Sequence, residues 1–198
     1  MNTEKHNLAD RQTDRQTDRQ TDRQTGFSVQ IKRANTDEWY TTVENVEIIV
    51  PFLLKKGFHK ILCPFDTEES NYVKVLREHG FEVTHGHINT GQDFFKRTDL
   101  KQFDAIVSNP PFSKRDAILE KLFESNKPFA IIQNMNGLFD SKRRWELFKN
   151  NEFELVVPLG RMKFFNENGK GNSPNFQSIY VCKDICNKAF TFVRGNDK

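Results

Sequence analysis

Cysteine is scarce in this chain: Cys63, Cys182 and Cys186 are the only three among 198 residues, an odd number with no Cys-x-x-Cys pair. That argues against a disulfide scaffold and a structural zinc site, and makes reduced thiols in a cytoplasm the expectation. Long apolar runs are missing as well. The longest, Ile48 to Leu54, is seven residues and contains Pro51, whereas a membrane-spanning helix needs about 20. The polar N-terminus has no apolar signal core, so a soluble protein with no membrane partner is expected. Net charge is small, at +3. The first 26 residues hold five charges of each sign, so the excess belongs to the remainder. This mild basicity is compatible with nucleic acid but too small to demand it. Tryptophan and tyrosine are few, and phenylalanine supplies 19 of the aromatic residues, a bias read first as core packing.

The sequence divides into an arm and a body. Asp-Arg-Gln-Thr repeats four times from Asp10 to Thr25 with no large apolar side chain, so residues 1–26 cannot bury enough surface to offset ordering. One domain from Phe27 to Lys198 is expected. Thr42 to Lys56 carries apolar residues at helical spacing, with a kink or restart at Pro51 and a stop at Gly57. His59 to Cys63 reads as a strand, and Ser70 can cap a helix to His79. Strands at Phe81 to His87, Asp104 to Ser108 and Phe129 to Gln133 follow, with helices at Ser113 to Ser125 and Ser141 to Asn150. Late strands are expected at Glu152 to Pro158, Phe176 to Lys183 and Phe190 to Val193. Alternating strands and helices joined by short loops predict an α/β fold whose sheet is covered on both faces, with ligands at the carboxyl ends of the strands.

Where the strand Asp104 to Ser108 ends, the chain reads Asn109-Pro110-Pro111-Phe112. Asn109 and Pro110 both precede prolines and lose the helical basin, so the loop is stiff. Neither proline has an N–H, so the backbone offers carbonyl acceptors without competing donors, and the Asn109 side-chain oxygen adds another. Such a corner suits an exocyclic amine. Two accepted hydrogen bonds hold its lone pair to one side while the Phe112 ring stacks the heterocycle.

On these residues the chain resembles the S-adenosylmethionine-dependent amino-methyltransferases, and most closely the small phage-type DNA N6-adenine methyltransferases, whose motif is [DNS]-P-P-[YFW]. The resemblance implies a Rossmann-like class I fold with a mixed, mostly parallel seven-stranded sheet. It implies that Asn109 and the Pro110 carbonyl bind the target amine, with Pro111 stiffening the turn and Phe112 stacking a flipped base. It also implies direct methyl transfer with no general base before attack. Asp93-Phe94-Phe95 resembles the motif that meets the cofactor's adenine, and Trp39-Tyr40-Thr41-Thr42 the segment that meets its methionine end. Pro64, Phe65, Asp66 and Asn109 complete the cofactor set, Asp66 against the α-amino group. In the string from Cys63 to Ser70 the family's two glycines are replaced by Thr67 and Glu69. His85 and His87 stand where an acidic residue often meets the ribose. They lack a third ligand, so no metal is expected.

Beyond the tetrapeptide, Lys114, Arg115, Arg143, Arg144, Arg161 and Lys163 are candidates to track phosphates, or form an ordinary solvated face. Asn166 to Asn175 reads as a loop beside them. DNA carrying a target adenine is the expected partner. Recognition of a short site, or help from a protein partner or a second copy, is expected because little chain remains for a sequence-reading domain. Three alternatives stay open: methylation of an RNA base, methylation of a protein glutamine amide, or a non-catalytic nucleic-acid or protein binder on the same scaffold.

Overall fold

A computed structural model describes residues 40–165, 171–172 and 175–194. The repeat arm, the expected start of the body at Phe27 and much of the loop from Asn166 to Asn175 lie outside the described residues.

Seven strands form one sheet in the order β10-β6-β9-β5-β4-β2-β3. They are β2 (Lys60–Cys63), β3 (Glu82–His85), β4 (Ala105–Ser108), β5 (Phe129–Asn134), β6 (Glu154–Pro158), β9 (Ser178–Lys183) and β10 (Phe190–Val193). β9 runs antiparallel between β5 and β6, and the other neighbours pair parallel. All seven were expected, from stretches of four to eight residues bounded by turn residues. The strand expected to reach His87 stops at His85, where the Gly86 and Asp66 backbones form an isolated bridge. A second, antiparallel ribbon went unforeseen: β1 (Tyr40–Thr41) pairs with β7 (Phe164–Phe165), which pairs with β8 (Gly171–Asn172).

Strand alternation divides the core between two faces. Ile61, Cys63, Ala105, Val107, Ala130, Ile132 and Tyr180 face α1 (Val43–Glu47), α2 (Val50–Lys56) and α3 (Asn71–Glu78). Leu62, Ile106, Phe129, Ile131, Ile179 and Val181 face α4 (Arg115–Glu124) and α5 (Lys142–Lys149). The expected kink at Pro51 is a restart, with Pro51 in the first turn of α2 and Gly57 ending it at φ 71°. Asp104 clamps the entry to the sheet. Its carboxylate accepts from the His59 and Lys60 backbone N–H groups, both at 2.8 Å, and these bonds lower its pKa. Among the described residues no helix is long and apolar enough to cross a membrane.

Candidate active site at the carboxyl edge of the sheet

The chain leaves β2 towards β3 on one side of the sheet, while β4 and β5 build outward on the other. That reversal of direction opens a crevice between the carboxyl ends of β2 and β4, where ligands of open α/β sheets bind. Pairing of β2 with β4 is recorded at Ile61 with Ala105 and Leu62 with Ile106. Beyond those rungs the two strands part, and the motif residues lie on their separate extensions.

On the β4 side, Ser108 is fully buried, Asn109 is half-buried and Pro110 is buried. Pro111 is extended at φ −63° and ψ 128°, Phe112 to Lys114 make one 3₁₀ turn, and α4 begins at Arg115. The expected stiff corner is therefore a strand-to-helix turn. The Phe112 ring meets Phe176 edge-on, with centroids 5.9 Å apart and planes at 80°. Phe176 comes from the segment before β9, so one aromatic wall is assembled from residues 64 positions apart.

On the β2 side, Pro64 is buried and Phe65 packs edge-on against Phe94 at 5.0 Å. Asp93 caps the turn Phe94–Lys96 by accepting from the Phe95 N–H at 2.9 Å. Lys121 of α4 secures this turn, donating to the carbonyls of Phe95 at 2.9 Å and Arg97 at 3.0 Å, and its ammonium lies 5.1 Å from the Phe94 ring centroid. Burial lowers the Lys121 pKa. A cavity of about 450 Å³ opens here, lined by Pro64, Gln92, Asp93, Phe94, Lys96, Arg97, Thr98 and Asp99. At the same edge the Asn71 amide holds the Thr41 carbonyl at 2.8 Å. The buried Thr41 and Thr42 hydroxyls have no hydrogen-bond partner among the described residues. Tyr40 stacks on Phe165 at 5.4 Å.

The loop from Cys63 to Ser70 explains how the chain manages without the two glycines. No residue in it has a positive φ, so its backbone angles do not require glycine. Its two glutamates turn outward: Glu68 pairs with Arg77 and with His85 at 2.7 Å, and Glu69 pairs with Lys74 at 2.7 Å. His85 is thereby engaged by Glu68. His87 lies beyond β3 and caps the next turn, its Nδ1 accepting from the Asn89 N–H at 3.2 Å. Asp66 is 7% exposed. Its two oxygens accept from the hydroxyls of Ser70 and Ser108, residues that sequence reasoning did not assign to the site. Desolvation raises the Asp66 pKa to about 6 against the lowering pull of both hydroxyls and of His87 and His85.

The basic candidates fall into separate groups. Arg143 pairs with Glu120 of α4. Arg144 pairs with Asp116 and donates to the carbonyls of Leu138 at 2.9 Å and Gly137 at 2.8 Å. These two expected phosphate contacts thus join α5 to α4. Arg115 is half-buried. Among the described residues it reaches only the Gly137 carbonyl, at 3.5 Å, and its buried Nε has no partner; burial beside Arg144 lowers its pKa. Lys114 is exposed at the mouth, 5.7 Å from the Phe95 ring centroid, and Arg161 and Lys163 are exposed before β7.

The seven-stranded sheet with β9 reversed between β5 and β6 and helices on both faces is a Rossmann-like α/β architecture. The chain is 42% identical over 98 residues to Type II methyltransferase M.EcoRI from Escherichia coli, covering 46% of this chain and 30% of that protein. Among solved structures, a Vibrio vulnificus YJ016 protein described as the modification subunit of a type I restriction enzyme matches with a TM-score of 0.50. Identity there is 11%, covering 79% of this chain and 46% of that one. The type I restriction-modification system methyltransferase subunit from Streptococcus thermophilus matches with a TM-score of 0.46 at 13% identity, covering 80% and 48% respectively. The chain thus spans less than half the length of each. No family model matches the chain.

Proposed function

We propose that the protein transfers a methyl group from S-adenosylmethionine to the N6 amino group of adenine in DNA. The observation that carries this reading is the Asn109 to Phe112 corner at the carboxyl end of β4, with the Phe112 ring edge-on to Phe176, together with a cavity lined by Asp93 and by Pro64 at the end of β2. Partial likeness to a type II methyltransferase supports it. The residues present suit the cofactor. A carboxylate and a buried ring stand at the cavity for an adenosine group, and two buried hydroxyls stand at Thr41 and Thr42 for a polar tail. Asp93, Phe94, Pro64 and Phe65 would hold the adenosine end, with Tyr40 and Thr41 at the other. Bound there, the cofactor supplies an electrophilic methyl group carried on a sulfonium.

The chain's own contribution is orientation. The Asn109 oxygen and the Pro110 carbonyl accept the two N–H bonds of the adenine amine, which aims its lone pair across the crevice. Phe112 and Phe176 supply aromatic surface to a base that has left its stack, a step costing a few kcal/mol and less in single-stranded substrate. No base need remove a proton first, and the extra proton leaves to water afterwards. Lys114, Arg115, Arg161 and Lys163 supply phosphate contacts. A protein partner or second copy would add to the recognition of the DNA site, in the cytoplasm where DNA is accessible.

The test is incubation with labelled S-adenosylmethionine and DNA, RNA or protein in parallel, with methylation-sensitive nuclease digestion of host DNA after expression. Label in DNA adenine, lost in Asn109→Ala with an unchanged melting temperature, supports the proposal. Label confined to RNA or to glutamine would redirect it. No binding of S-adenosylmethionine at millimolar concentration would instead favour a non-catalytic binder.

A further inference from the structure

We infer that Asp66 is a positioning residue that fixes the Asn109 corner through Ser108, rather than a ligand of the cofactor's α-amino group; this rests on the functional reading above. The strands explain the need for it. Recorded pairing between β2 and β4 ends at Leu62 with Ile106, so the ladder does not hold Ser108 against the β2 side. On its other side Ser108 pairs with Ile131 of β5. The Asp66 carboxylate spans the parted strands, accepting from the hydroxyl of Ser108, the residue immediately before Asn109.

The strut is anchored at its far end. The Asp66 N–H donates to the Gly86 carbonyl at 3.1 Å, which fixes its backbone to the end of β3. Its other oxygen accepts from Ser70, whose own oxygen accepts from the Tyr72 N–H at 3.2 Å as the cap of α3. Both carboxylate oxygens are thus engaged within the protein, on a residue 7% exposed. A displaced Ser108 would carry Asn109 with it, and misplacement of about 1 Å at a reacting group can cost about a hundredfold in rate.

The experiment compares Ser108→Ala, Asp66→Asn and Ser70→Ala in the full chain. It measures kcat on a DNA oligonucleotide at saturating S-adenosylmethionine, the cofactor dissociation constant by calorimetry, and amide hydrogen exchange at Asn109, Phe112, Ser113 and Lys114. Ser108→Ala and Asp66→Asn should lower kcat by about tenfold to a hundredfold and speed exchange at those amides, while cofactor affinity stays within about threefold. Ser70→Ala, which removes one anchor of the strut but leaves the Ser108 bond in place, should lower kcat and speed exchange less than Ser108→Ala does. Weaker cofactor binding in Asp66→Asn with unchanged kcat and exchange would overturn the inference and return Asp66 to the cofactor. If the wild-type chain methylates nothing, the functional reading fails by itself. The exchange comparison then still decides the strut: faster exchange in Ser108→Ala and Asp66→Asn upholds it, and unchanged exchange refutes it.

Discussion

Asp66 is a buried acid whose desolvation outweighs the two hydroxyls that favour its charge, so its pKa stands at about 6 against an ordinary 3.8. A raised carboxyl pKa means the folded state binds the proton more tightly. The associated stability is fully present below about pH 4 and is lost as pH rises through about 6. Two units correspond to at most about 3 kcal/mol. Urea melts between pH 4 and 7 should show that Asp66→Asn removes this decline, while Asp104, lowered by its two backbone donors, acts with the opposite sign at lower pH. Arg115 invites a second residue-level test. Its substitution by Ala should reduce the salt dependence of DNA binding by about one phosphate contact, measured as the slope of log affinity against log salt. The Asn109 to Phe112 corner was legible because its cause is local: two prolines dictate a stiff turn whatever surrounds them. Ser108, Ser70 and Phe176 were not, since each acquires its role from a partner brought close by folding.

At the scale of elements, α4 and α5 are joined by Arg144, whose side chain is 15% exposed and whose donors meet Asp116 and the carbonyls of Gly137 and Leu138. Arg144→Ala should destabilise the fold by about 1–3 kcal/mol and leave DNA affinity unchanged, as thermal melts and a binding titration on the same variant would show. From sequence alone this arginine read as one more cation in a basic stretch, because its acid lies 28 residues earlier on another helix. Helix starts and stops were clearer. Ser70 accepts from Tyr72 and Ser141 accepts from Arg144, both at positions where a hydroxyl precedes an apolar period. The two-residue strands of the small ribbon escaped notice because so short a stretch carries no periodicity.

For the whole molecule, the seven strands were visible as apolar runs, but their order was not. Nothing in the pattern Ser178–Lys183 distinguishes a strand inserted antiparallel between β5 and β6 from one added at an edge; its burial along five of six residues is set by neighbours on both sides. Ile106 is fully buried in β4 beneath α4. Ile106→Ala should cost about 2–5 kcal/mol, read from a shift in the urea midpoint at unchanged slope.

The β1–β7 ribbon joins Tyr40 to Phe165 and Thr41 to Phe164 through two rungs only. A contact spanning so much chain closes late when the protein folds, and one held by so few rungs opens early under thermal fluctuation. Native-state hydrogen exchange should therefore find the Thr41 amide less protected than the amides of the central strands.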